Sequence, residues 1–145
     1  MTNVDYSKNA ANVAEQLIGK TMNLPSGLAQ IVETEAYEGG DQTPKRHCML
    51  LAPGQIGIMN YRGHHFVNIG AENAGVPSCV LIRAINLDGE LIDGPGRVGK
   101  AIDGPSLEYN VLETNISVTG KTMPSTYTAN PTGSDNSLGI YRMNR

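Results

Sequence analysis

Ala29, Gln30, Ile31, Val32, Glu33, Thr34, Glu35, Ala36 and Tyr37 make up the stretch on which the fold of this chain turns. Side chains alternate between the two faces of a β-strand. The pattern therefore predicts a strand with Ile31, Glu33, Glu35 and Tyr37 on one face and Val32, Thr34 and Ala36 on the other. Two residues along a strand separate the Cα atoms of Glu33 and Glu35 by roughly 7 Å. At that separation each carboxylate affects the other's ionisation, and one of the pair can act as a base. The same spacing suits two glutamates pointing into water. Tyr37, on the same face, supplies a stacking surface beside the carboxylates and favours a site.

Ser78, Cys79, Val80, Leu81, Ile82, Arg83, Ala84 and Ile85 are the most apolar run of the chain. They predict a central strand interrupted by one cation, and a buried or half-buried Arg83 needs a partner. Gln55 to Met59 and His64 to Ile69 predict two strands joined at Asn60, Tyr61, Arg62 and Gly63, a hairpin with Tyr61 at its tip. Such a tyrosine either folds onto the core or projects as a wedge. Nearer the N-terminus, Ala10, Val13, Ala14, Leu17 and Ile18 recur at helical spacing, with Ser7 as the expected N-cap and Gly19 where the helix should close. The segment Asp93 to Lys100 places Pro and Gly before a short helical segment whose free amides could hold a phosphate. Glu38 to Gly54 reads as a loop, and Thr119 to Ser137, rich in Thr, Ser, Pro, Gly and Asn, as a long surface loop.

The chain has 145 residues, 39% hydrophobic and 17% charged, with 17 Gly and 8 Pro. That composition predicts one domain, 1–145, built of short elements joined by turns. The N-terminus lacks the pattern of a secretory leader and no apolar run reaches membrane-spanning length, so a cytoplasmic protein that is neither secreted nor membrane-bound is expected. Cys48 and Cys79 are too few for a disulfide framework and are read as thiols. His47, Cys48, His64, His65 and Cys79 lack the pair spacings of a zinc site, and the phosphate-loop, dinucleotide and serine-hydrolase motifs do not occur. Neither metal nor cofactor is expected. The net charge of −3 works against a nucleic-acid partner, because phosphate binding relies on Lys and Arg. The cations are nevertheless clustered: Lys45, Arg46 and His47, then Arg62, His64 and His65, then Arg83, Arg97 and Lys100. They are either scattered solvated charges or a basic face on an acidic molecule.

Taken in chain order, Ile31 to Tyr37, Gln42 to Arg46, Pro53 and Gly54, Tyr61 to Ile69, Val80 to Ala84 and Gly94 to Val98 form a set. The set resembles the alkyladenine (3-methyladenine) DNA glycosylases in compact, shortened form, from about residue 10 to residue 102, with an echo at Leu138, Gly139 and Ile140. The resemblance implies a single α+β domain with a curved, open barrel-like antiparallel sheet, peripheral helices and a protruding hairpin. It implies a monofunctional enzyme, without cofactor, that flips alkylated or deaminated purines of the 3-methyladenine, hypoxanthine and ethenoadenine class out of double-stranded DNA and hydrolyses their N-glycosidic bond. By the same resemblance the protein acts as a monomer, in the cytoplasm with the nucleoid or in a viral setting.

The roles follow residue by residue. Glu35 activates the attacking water, Arg83 orients it, and the carbonyl of Leu138 completes the water site. Tyr37 stacks on the flipped base, Asn68 obstructs the amino group of normal guanine, and Tyr61 fills the hole in the duplex. Lys45, Arg46, Arg62, His64, Gly96, Arg97 and Lys100 contact the DNA backbone. The chain also departs from the family pattern. The loop after Tyr37 is short and lacks the histidine that faces that tyrosine, leaving His47 as the substitute. One residue is missing before Tyr61, so Met59 or Ile58 stands where a second pocket tyrosine belongs. The C-terminal region is shortened, without the final Pro-Trp-Arg-Phe strand, and the protein is acidic where its relatives are basic. Two other readings stay open: a catalytically weak DNA-lesion binding protein of the same fold, and a small-molecule or single-strand-specific enzyme using the same carboxylate.

Overall fold

The computed structural model describes residues 3–24, 27–38, 51–61, 63–72, 77–103, 111–112, 118–129 and 137–144, with backbone alone at 59–61, 103 and 111–112. Helix α1 (Ala10–Leu17) buries Ala10, Val13, Ala14 and Leu17, the stripe its spacing predicts. Its N-cap is Asn9 and not Ser7: the Asn9 side chain accepts from the Asn12 amide at 2.9 Å. Ser7 sits two residues too early and donates its hydroxyl to Asp5. Ile18 caps the other end, followed by Gly19.

Among the described residues, ten strands form one antiparallel sheet: β1 (Thr21–Leu24), β2 (Gly27–Glu38), β3 (Ile56–Tyr61), β4 (His64–Gly70), β5 (Ser78–Leu87), β6 (Glu90–Asp93), β7 (Val111–Leu112), β8 (Val118–Thr119), β9 (Ser125–Thr128) and β10 (Ser137–Met143). The order β7-β3-β4-β5-β2-β1-β8 runs through the centre, β6 joins β5, and β10 joins β2 and β9. The sheet is curled, because the long strand β2 pairs β1 with its first residues and β10 with its last. Strands β3 and β4 make the expected hairpin, closing at Tyr61 opposite His64. The architecture is α+β.

One face of the sheet packs on α1 and on helix α2 (Pro95–Asp103). Ile56, Ile58, Val67, Ile69, Val80, Ile82 and Ile85 meet Leu17, Ile18 and Val98 there, all buried. Full burial of each such side chain stabilises by about 1.5–3 kcal/mol. Thr34 belongs to this face, where its hydroxyl donates to the Ala14 carbonyl at 3.0 Å.

The expected alternation along β2 holds only in part. Ile31 shares the helix-covered core with Ala36, whereas Glu33, Glu35 and Tyr37 look the other way. The cause is a double irregularity: Ile31 pairs Ile85 and Thr34 pairs Ile82, but between them Glu33 pairs Ala84, leaving Val32 and Arg83 extra on their strands. The stretch expected as a surface loop from Thr119 to Ser137 also contains strand β9, hydrogen-bonded to β10 along Ser125–Thr128. Its side chains are largely exposed, so no apolar alternation announces it.

Helix α2 lies against β4 at very close range. A Cβ on Gly99 would overlap the carbonyl oxygen of His65. Gly99→Ala would gain up to about 1 kcal/mol of helix propensity, but a clash with backbone costs about 3 kcal/mol. Thermal denaturation of Gly99→Ala should show a midpoint lower by several degrees; an unchanged or raised midpoint would mean that α2 does not dock this closely.

Candidate active site

The face of β2 turned away from the helices carries Glu33, Glu35 and Tyr37. Glu35 is fully buried. Its Oε1 accepts from Arg83 Nη1 at 2.8 Å, and its Oε2 accepts from the Ser137 hydroxyl at 2.6 Å. Glu33 takes Arg83 Nε at 3.1 Å and Arg142 Nη1 at 3.0 Å. Arg83 therefore bridges the two carboxylates, the partnership that a cation in an apolar strand requires. Arg142 extends the chain to Asp93 at 3.4 Å; this outer pair is largely exposed and contributes little. The Arg142 guanidinium is held above its ordinary value mainly by its hydrogen bond to Glu33. Two glutamates pointing into water are excluded by this burial.

Tyr37, opposite Cys79 in the register, is buried with Cys79 and Leu81, and Phe66 packs on them. Asn68, fully buried, donates to the Phe66 carbonyl at 3.3 Å and accepts from the Cys79 thiol at 3.6 Å. Both ends of its amide are thus fixed. Cys79 is a buried thiol; Cys48 lies outside the described residues. Along β4, the exposed His64 ring stacks on Phe66 with centroids 6.1 Å apart. A cleft beside it is lined by Gly63, His64, His65, Gly96 and Lys100, where the hairpin meets the start of α2. Arg97 is exposed on the same helix.

The structure thus brings Glu35, Arg83, Tyr37 and Asn68 together on one face, and His64, Gly96 and Lys100 together in one cleft. Leu138 follows Ser137 in β10, and its carbonyl accepts from the Tyr127 hydroxyl at 2.8 Å. Tyr61 ends β3 at the hairpin tip, and Met59 lies in the same strand; their side chains, with Lys45, Arg46, His47 and Arg62, lie outside the described residues. Sequence reasoning missed Ser137, Arg142 and the packing of Phe66 against Tyr37. Among the described residues, no three His, Cys, Asp or Glu side chains converge as a metal site, and no helix is long and apolar enough to cross a membrane.

A family model described as methylpurine-DNA glycosylase matches residues 4–124 of the sequence. The chain belongs to the methylpurine-DNA glycosylase family. Several bacterial relatives carry 3-methyladenine DNA glycosylase in their names. One from Lactiplantibacillus plantarum is 32% identical over 139 residues, covering 72% of this chain and 66% of the relative. One from Anaeromyxobacter dehalogenans is 35% identical over 114 residues, covering 67% of this chain and 54% of the relative. One from Synechococcus elongatus is 42% identical over 81 residues, covering 48% of this chain and 42% of the relative. This family member therefore spans from under half to about two thirds of the length of those relatives.

Proposed function

We propose that the chain hydrolyses the N-glycosidic bond of alkylated or deaminated purines in duplex DNA as a monofunctional glycosylase, with Glu35 as general base. The observation that carries this reading is the buried Glu35 carboxylate, held at both oxygens between Arg83 and Ser137 on a sheet face that also bears Tyr37 and Asn68. A base stacked in a duplex is out of reach of any such group, so the substrate nucleotide must be flipped into the site. Water then attacks the anomeric carbon, its proton passes to Glu35, and the electron pair of the glycosidic bond leaves with the base. A fixed negative charge beneath the sugar also favours the oxocarbenium-like transition state.

In this reading Arg83 holds the carboxylate and orients the water, whose second acceptor is the Leu138 carbonyl, using the lone pair that Tyr127 leaves unused. Tyr37 supports the flipped base, Asn68 discriminates against guanine, and His47 and Met59 complete the pocket. Tyr61 fills the vacated space in the duplex. The cleft of His64, Gly96 and Lys100 takes a backbone phosphate with help from Arg97, while Lys45, Arg46 and Arg62 neutralise neighbouring phosphates.

Single-turnover assays on duplexes containing 3-methyladenine, hypoxanthine or ethenoadenine should release free base from at least one of them. Duplex affinity should fall about tenfold or more between about 50 mM and about 200 mM salt. Lesion binding without release would mark a binding protein that has kept the fold. Indifference to duplex and to salt would point instead to a small-molecule or single-strand substrate.

A further inference from the structure

We infer that Ser137 is a positioning residue for the Glu35 carboxylate, fixing Oε2 from the side opposite Arg83; the inference rests on the reading of Glu35 as the general base. Ser137 is 102 residues from Glu35 in the chain and lies beyond the stretch 4–124 that the family model matches. The Ser137 side chain is nearly inaccessible, 7% exposed, and its hydroxyl meets Oε2 at 2.6 Å. Its direction is unambiguous. The Ser137 Oγ accepts the Gly139 amide at 3.2 Å, and a peptide N–H can only donate. The single hydroxyl proton is thereby committed to Glu35, a charge-assisted hydrogen bond of the short, strong class.

The backbone builds this arrangement. In β10, Ser137 pairs Tyr37 and Gly139 pairs Ala36, so Leu138 is an extra residue and the strand bulges there. The bulge needs φ of +116° at Gly139, where a Cβ would also run into the Tyr127 ring. It turns the Ser137 hydroxyl onto the carboxylate and leaves the Leu138 carbonyl to Tyr127. Among the described residues, the charged groups around Glu35 are Arg83 from β5, Glu33 from β2 behind that guanidinium, and Arg142 of β10 and Asp93 of β6 beyond it. Ser137 adds a neutral donor to them. A donor to a carboxylate favours the ionised form, so removing the Ser137 hydroxyl should be read in titration as well as in position.

Ser137→Ala removes the donor without adding bulk to a buried site. The variant should fold, excise damaged base about tenfold more slowly, equivalent to about 1.4 kcal/mol in the barrier, and show the acid limb of its pH–rate profile at higher pH than wild type. A purely structural role lowers the melting midpoint but leaves that limb where it was. A carbon-13 NMR titration of the Glu35 carboxyl, assigned by its loss in Glu35→Gln, reads the same contact without turnover. If wild-type protein excises nothing, the glycosylase reading fails while the NMR midpoint still decides this one. A midpoint higher in Ser137→Ala supports the contact. An unchanged midpoint, or an unchanged pH–rate profile in an active enzyme, overturns the inference.

Discussion

Glu35→Gln should bring excision of damaged bases down by about a thousandfold or more, while affinity for a lesion-containing duplex stays within about tenfold of wild type. The amide is nearly isosteric with the carboxylate. Its oxygen can still accept from Arg83, and the Ser137 hydroxyl can turn its proton away and accept from the new NH2 group, so the site should keep its shape. What vanishes is the group that takes a proton from water, together with the negative charge that favours the transition state. Single-turnover kinetics and an electrophoretic binding assay on the same duplex separate the two effects. Turnover within tenfold of wild type would remove Glu35 from the role. Loss of binding in step with excision would show that the substitution damages the fold more than the chemistry.

Arg83→Met should be the most damaging single substitution for stability. It leaves volume in place but removes the cation that Glu33 and Glu35 share. Glu33 keeps Arg142 at 3.0 Å and is partly exposed. Glu35, with its side chain fully buried, keeps the Ser137 hydroxyl but loses this ion pair. Breaking one partner out of a buried pair costs about 3–5 kcal/mol. The sign with pH follows from the charge. In the variant the folded state favours a protonated carboxyl more than the unfolded state does, so the deficit relative to wild type should be full at neutral pH and shrink on acidification. Chemical denaturation at several pH values measures it. A deficit under 1 kcal/mol at neutral pH, or one that grows as pH falls, would contradict the bridging arrangement.

The parts of this structure readable from sequence are those whose side chains repeat with the period of the backbone. Helix α1 declares itself through Ala10, Val13, Ala14 and Leu17, and β5 through an apolar run whose one cation has to be satisfied. The N-cap escaped because Ser7 and Asn9 are both competent residues, and only the extended backbone at Asn9 immediately before the first helical turn decides between them. Strand β9 escaped for a different reason. Ser125, Thr126, Tyr127 and Thr128 are largely exposed, and their order comes from backbone pairing with β10, which no local pattern encodes. The site divides in the same way. Glu35, Tyr37, Asn68 and Arg83 belong to motifs met in family order, and the sheet brings them together. Ser137 lies in a stretch of polar residues with no periodic mark, and only the pairing of β10 with β2 carries it to Glu35.

The double irregularity where β2 meets β5 behaves like an insertion and its suppressor in a reading frame. One extra residue on β2, Val32, is cancelled by one on β5, Arg83, and the strands run in the same register on either side. Within the out-of-frame interval both strands exchange their inner and outer faces, so Ile31 and Ile85 before it, and Ala36 and Ile82 beyond it, line one continuous core. Loss of Val32 would leave β2 alternating regularly, with Ile31, Thr34 and Ala36 still inward and Glu33, Glu35 and Tyr37 still outward. Loss of Arg83 would regularise β5 in the same way and take with it the cation that the two acids share. Length variation here is therefore expected at Val32 and not at Arg83, whose extra place in β5 carries the guanidinium to the acids.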